Sequence, residues 1–109
     1  MRRPKEVRVC ALSDLDDKAP LAVEVGDLPV VLVRVGDEVH ALRDQCSHAL
    51  ATLSTGAVTG KGIECWLHGA CFDLRTGAPT SPPAVVPVDV YPVRIDGEDV
   101  FVDLGTTVN

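Results

Sequence analysis

Two short stretches hold the residue types that could do chemistry: Cys46-Ser47-His48, then sixteen intervening residues, then Cys65-Trp66-Leu67-His68. Each stretch offers one thiolate and one imidazole within a turn's reach. A pair of loops carrying them could close on a single metal centre from two sides. With four cysteines and three histidines in 109 residues, a Cys-x-His is expected by chance about 0.1 times, and a Cys-x-x-His about as often. Both together should occur in roughly one chain in a hundred of this composition. Two cysteines and two histidines also make a good tetrahedral zinc set, so ligand softness alone does not choose the metal. Spacing says more, because zinc fingers usually pair Cys with Cys and His with His, whereas here each stretch is mixed.

These residues need a scaffold, and the sequence on either side of them is written for strands. Residues 7 to 12 (VRVCAL) predict a first strand, followed by a polar break at Ser13, Asp14, Asp16 and Asp17 that could hold one helical turn capped by Ser13. Residues 21 to 25 (LAVEV) alternate apolar and polar, the pattern of a half-buried strand. The runs 29 to 35 and 38 to 43 meet across Gly36-Asp37, where a leading glycine suits a type II′ hairpin turn. A second hairpin is expected from 91 to 95 and 98 to 104 across Asp96-Gly97. Between the hairpins, residues 44 to 83 carry Gly56, Gly60, Gly62, Gly69 and Gly77 together with the Cys/His stretches, and read as a loop-rich insert. No segment has sustained helical periodicity. The expected fold is all-β, a small antiparallel sandwich or barrel with a loop-built site, formed by one domain over 1–109 whose ligand-bearing loops lie within about 44–83.

Composition narrows the functions. Apolar residues are 46% of the chain but aromatics only 4%, so the core must rest on Val, Leu, Ile and Ala, and valine favours strands. A net charge of −6 argues against nucleic acid or an anionic membrane as partner and would suit a basic docking face on a protein. No run of about 18 apolar residues is present to span a bilayer. Arg2 and Arg3 are followed by Pro4, Lys5, Glu6 and Arg8, where an export signal would need an apolar core, so a cytoplasmic location is expected. A reducing cytosol disfavours disulfides among the four cysteines, which leaves metal binding as the better reading.

Several other residues have plainer readings. Cys10, in a strand, reads as a small buried hydrophobe. Cys71 follows the second stretch and is left outside the ligand set. His40 sits between Val39 and Ala41 in a strand and reads as outward-facing or satisfied. Asp73 and Arg75 suit either a salt bridge to the body or a solvated turn ending at Gly77. Trp66, Leu67 and Leu50 could shield a metal centre, form a docking surface around it, or simply pack under the loops.

The pattern C-x-H followed by C-x-x-H-G resembles the ligand signature of the Rieske family, in which two cysteines hold one iron and two histidines the other. The similarity continues through Leu53-Ser54-Thr55-Gly56, Ile63-Glu64, Phe72-Asp73-Leu74-Arg75-Thr76-Gly77 and Pro82-Pro83, so with the flanking strands it covers nearly the whole chain. It implies one [2Fe-2S] cluster, with Cys46 and Cys65 on the inner iron, His48 and His68 on the outer iron, and the proline segment as a cover. Respiratory members carry an extra cysteine in each loop, joined as a disulfide. The matching positions here are Ala51 and Leu67, which places the chain with the ferredoxin and oxygenase branch.

The resemblance further implies an electron carrier that accepts from a flavin-dependent ferredoxin reductase and delivers to a terminal oxygenase or other redox enzyme, with no turnover of its own. The alternatives are a relative of the nitrite reductase small subunit, a protein of iron–sulfur assembly, and a zinc-stabilised interaction module. High-potential relatives place a serine and a tyrosine after the second loop as donors to cluster and cysteine sulfur. Ala70 and Phe72 occupy those positions, so a low reduction potential is expected.

Overall fold

The computed structural model describes residues 6–45, 52–60, 62–66, 70–81 and 86–108. Eleven strands are present among them: β1 (Glu6–Ala11), β2 (Leu21–Val25), β3 (Leu28–Val35), β4 (Glu38–Arg43), β5 (Ala57–Thr59), β6 (Gly62–Glu64), β7 (Cys71–Phe72), β8 (Pro79–Ser81), β9 (Val90–Tyr91), β10 (Val93–Asp96) and β11 (Asp99–Asp103). They form three antiparallel sheets, ordered β1-β11-β10, β2-β3-β4-β9 and β5-β6-β7-β8. The all-β expectation is met, and the only helical structure among the described residues is two single 3-10 turns, Leu12–Asp14 and Leu53–Thr55.

The central sheet explains the unbroken apolar run Val30-Val31-Leu32-Val33. Val30, Leu32, Ala41 and Tyr91 pack with Cys10, Val100 and Val102 of the β1-β11-β10 layer and with Leu15, which follows the first 3-10 turn. Val31, Val33, Leu42 and Val90 face the opposite way and pack with Leu53, Ile63, Ala70 and Phe72. Successive strand residues point to opposite faces, so a strand covered on both sides must be apolar at every position. The loop-rich reading of 44 to 83 therefore needs correction. The insert contains a small sheet, β5 to β8, laid over the second face of the central sheet. Its strands have only two or three residues each, too short for any periodic signal to show.

Three hairpins share one turn chemistry: Gly26-Asp27, Gly36-Asp37 and Gly97-Glu98 each connect strands with a leading glycine at φ near +60°. This is the type II′ pattern expected at Gly36. The C-terminal turn sits one residue later than the Asp96-Gly97 expectation. Asp96 pairs with Asp99 inside the ladder. A type I′ turn would require positive φ at Asp96, whereas the II′ turn asks it only of Gly97. The expected strand 91 to 95 is also divided. Proline at 92 has no N–H for a ladder, so β9 ends in the central sheet and β10 begins in the other, while the Pro92 carbonyl accepts from Asp103 N–H at 3.0 Å. Ser13 does not cap the first turn. It lies inside Leu12–Asp14, and the Asp14 carboxylate accepts from Ala11 N–H at 3.0 Å instead.

The small sheet is held tightly by two glycines. A Cβ on Gly56 would overlap the Glu64 carbonyl oxygen, and one on Gly62, whose φ is +132°, would overlap the Phe72 carbonyl oxygen. Gly62→Ala combines overlap with a disfavoured backbone angle. It should lower stability by about 1–3 kcal/mol, read as a lower urea midpoint at unchanged slope. A midpoint equal to that of the unmodified chain would show that β6 and β7 can separate without cost.

Candidate metal centre

Of the four expected ligands, Cys65 is among the described residues, while Cys46, His48 and His68 lie outside them, as do Leu50, Leu67, Gly69, Pro82 and Pro83. Cys65 follows β6 directly and is 1% exposed. Its backbone N–H donates to the Ala70 carbonyl at 2.6 Å, so the segment from 65 to 70 is closed at its base. Trp66, one residue further on, is 61% exposed. Within a single step along the chain the second loop thus passes from the interior to the surface.

The first loop is closed in a comparable way. The Asp44 carboxylate accepts from both the backbone N–H and the hydroxyl of Ser54, at 2.7 and 2.6 Å, bringing the two ends of the segment that contains Cys46 and His48 together. Beyond it, Gly56 N–H donates to the Leu53 carbonyl at 3.0 Å. Leu53, Cys65 and Ala70 all belong to one buried cluster with Ile63 and Phe72. The described residues that flank the two Cys/His stretches therefore share one apolar cluster. A thiolate on the buried side, with the chain turning outward beside it, fits a cluster whose cysteine-bound iron is inside and whose other iron is nearer the surface. A bound [2Fe-2S] group takes up and releases one electron at a time, and the protein's part is to hold and shield it.

The turn after β7 resolves the two readings of Asp73 and Arg75, and both contribute. Asp73 accepts from the N–H groups of Arg75 and Thr76 at 2.8 and 3.0 Å, and Gly77 closes the turn at φ +72°. Burial pushes the Asp73 carboxyl up, but these N–H donors, the Thr76 hydroxyl and the Arg75 charge outweigh it and hold the group below its ordinary value. The Arg75 guanidinium reaches Glu38 of β4 at 2.9 and 3.0 Å, an exposed pair worth little energy that ties the small sheet to the central one. Val88 N–H donates to the Gly77 carbonyl at 3.0 Å, fixing the chain as it leaves the 82–85 segment. His40 is half-buried, and burial pushes its pKa down. Cys10 is buried in the layer furthest from Cys65, where desolvation raises its thiol pKa, in keeping with a packing role. The pairing of Asp44 with Ser54 is not legible in the sequence, because an acid and a serine ten residues apart give no local signal.

The described residues give an all-β scaffold with a buried Cys65 at the head of the second Cys/His stretch, and comparison with known proteins says what such a scaffold carries. The model of the Rieske [2Fe-2S] domain matches residues 5–92. The anthranilate 1,2-dioxygenase ferredoxin subunit of Burkholderia cepacia is 42% identical over 95 residues, covering 87% of this chain and 88% of that protein. Among solved structures, the ferredoxin of carbazole 1,9a-dioxygenase from Nocardioides aromaticivorans IC177 superposes with a TM-score of 0.85 at 44% identity, covering 90% of this chain and 96% of that one. A chain in the complex of reduced oxygenase and oxidized ferredoxin of carbazole 1,9a-dioxygenase gives 0.85 at 38% identity, covering 93% and 94%. The chain belongs to the Rieske [2Fe-2S] family. It is an electron carrier with one [2Fe-2S] cluster rather than a catalyst in its own right.

Proposed function

We propose that Cys46 and Cys65 hold the inner iron and His48 and His68 the outer one, and that the chain passes single electrons from a flavin-dependent ferredoxin reductase to a terminal oxygenase. The observation that carries this reading is the pairing of a buried Cys65 with an exposed Trp66 at the head of the same loop. It leaves a large apolar side chain on the surface beside the metal centre, where a partner would dock. Support for an oxygenase as acceptor comes from relatives that are ferredoxin components of dioxygenase systems. The chain is read as one domain over 1–109, because residues of the central sheet and the small sheet share one buried cluster.

Reduced protein, prepared anaerobically, should show the electron paramagnetic resonance signal of a mixed histidine/cysteine cluster. A colourless, silent protein containing zinc would overturn the reading. Docking through the Trp66 face is tested by reduction and re-oxidation kinetics. Trp66→Glu should slow transfer to the oxygenase about tenfold or more, whereas Asp96→Lys, on the β10-β11 hairpin, should change it less than about twofold. Equal sensitivity at the two sites would refute docking at the metal end.

A further inference from the structure

The described residues offer few groups near the metal loops that the electron carrier has not already used, and one of them is a buried acid. Asp44 is 4% exposed, and a buried carboxylate is costly unless it is well bonded. Its two oxygens accept the two donors of Ser54, at 2.7 Å from the N–H and 2.6 Å from the hydroxyl. Its own N–H donates to the Pro29 carbonyl at the start of β3, at 3.0 Å, and the preceding Arg43 N–H donates to the Asp89 carbonyl at 2.9 Å. Residue 44 is therefore fixed to the central sheet by its backbone, and it holds residue 54 by its side chain.

We propose that Asp44 is a positioning residue for the cluster: through Ser54 it clamps the base of the first metal loop, so that the stretch between residues 44 and 54 is held at one end by the central sheet and at the other by the Asp44 carboxylate. This inference rests on the ligand reading above. An acceptor-only carboxylate matches two donors at one residue, and charge-assisted bonds of this length are the strong kind. The second metal loop has its own closure, Cys65 N–H to the Ala70 carbonyl, made entirely by backbone. The first loop, longer by several residues, uses a side chain because no backbone pairing spans its base among the described residues.

Asparagine can keep both bonds, its carbonyl accepting from the Ser54 N–H while its amide donates to a rotated hydroxyl; alanine can keep neither. In Asp44→Ala, hydrogen exchange at the Ser54 amide should quicken by about 10- to 100-fold. Iron release to a chelator should quicken, and the g values of the reduced cluster should shift or broaden. Val31 and Leu32 amides should keep their protection, which separates this outcome from general unfolding. Ser54→Ala, losing only the hydroxyl bond, should show a smaller change of the same kind. Asp44→Asn, which keeps the geometry with weaker neutral bonds, should bring exchange, iron release and g values most of the way back to those of the unmodified chain. Unchanged Ser54 exchange in Asp44→Ala would overturn the proposal, as would faster exchange with unaltered iron release and g values. An Asp44→Asn protein behaving like Asp44→Ala would also overturn it, since charge rather than geometry would then be at work. Failure of the ligand reading is seen separately, as a cluster retained in Cys46→Ser.

Discussion

Cys65→Ser protein, expressed and purified without oxygen, is expected to be colourless and to give no cluster signal on reduction, and Cys46→Ser and His68→Ala should do the same. The expectation at Cys65 has a structural basis beyond its residue type. Its side chain is enclosed with Leu53, Ile63, Ala70 and Phe72, so a hydroxyl there can neither supply the soft ligand the iron needs nor reach water in compensation. Because ligand binding and loop order are coupled, these variants should also unfold at lower denaturant concentration than the loaded protein. Cys10→Ser and Cys71→Ser supply the contrast. Cys10 packs with Leu32, Val100 and Val102 on the opposite face of the central sheet, and Cys71 lies within β7. Both variants should lose some stability through burial of a hydroxyl, by about 1–3 kcal/mol, and keep the full absorption and resonance spectra. Loss of colour in Cys71→Ser, or an unaltered spectrum in His68→Ala, would require a different ligand set.

Much of this molecule is legible in its sequence because the long elements obey local rules. The alternation of LAVEV, the continuous VVLV run and the glycine-led turn at Gly36 each name their own structure. What stayed hidden depends on partners distant in sequence. The strands β5 to β8 exist because Gly56 and Gly62 let neighbouring backbones come close, and no two- or three-residue segment announces that. The one-residue error at Gly97 arose from preferring a dipeptide, Asp96-Gly97, over the backbone angles a II′ turn asks for. The candidate metal ligands are the most legible residues, since rare residue types at fixed spacing stand out against chance. Their support is the least legible. Asp44 and Ser54 are common residues, and what makes them a clamp is a meeting across ten positions.

The reduction potential should lie toward the bottom of the roughly −150 to +300 mV range of Rieske centres. A hydrogen bond to cluster or cysteine sulfur favours the more negative, reduced state, so each missing donor lowers the potential. The positions at which high-potential relatives carry hydroxyls are Ala70 and Phe72, and both side chains are completely buried in the apolar cluster that contains Cys65. Ala70 is also tied to Cys65 directly, through its carbonyl and the Cys65 N–H at 2.6 Å. Hydroxyls introduced there are withdrawn from water and need an acceptor inside the protein, and a sulfur that accepts them raises the potential. If each bond is differentially worth about 1–2 kcal/mol, a one-electron couple should rise by roughly 40–90 mV per donor. Ala70→Ser and Phe72→Tyr should each raise the midpoint, and the double variant should raise it more than either. Stability separates this outcome from its opposite. A hydroxyl that reaches sulfur is satisfied, whereas one that finds no acceptor leaves the potential unmoved and costs about 1–3 kcal/mol of folding free energy. Protein-film voltammetry together with urea unfolding of the loaded proteins decides between the two. A midpoint well above 0 mV in the unmodified chain, or a destabilised double variant with no upward shift, would show that something other than the two absent hydroxyls sets the potential.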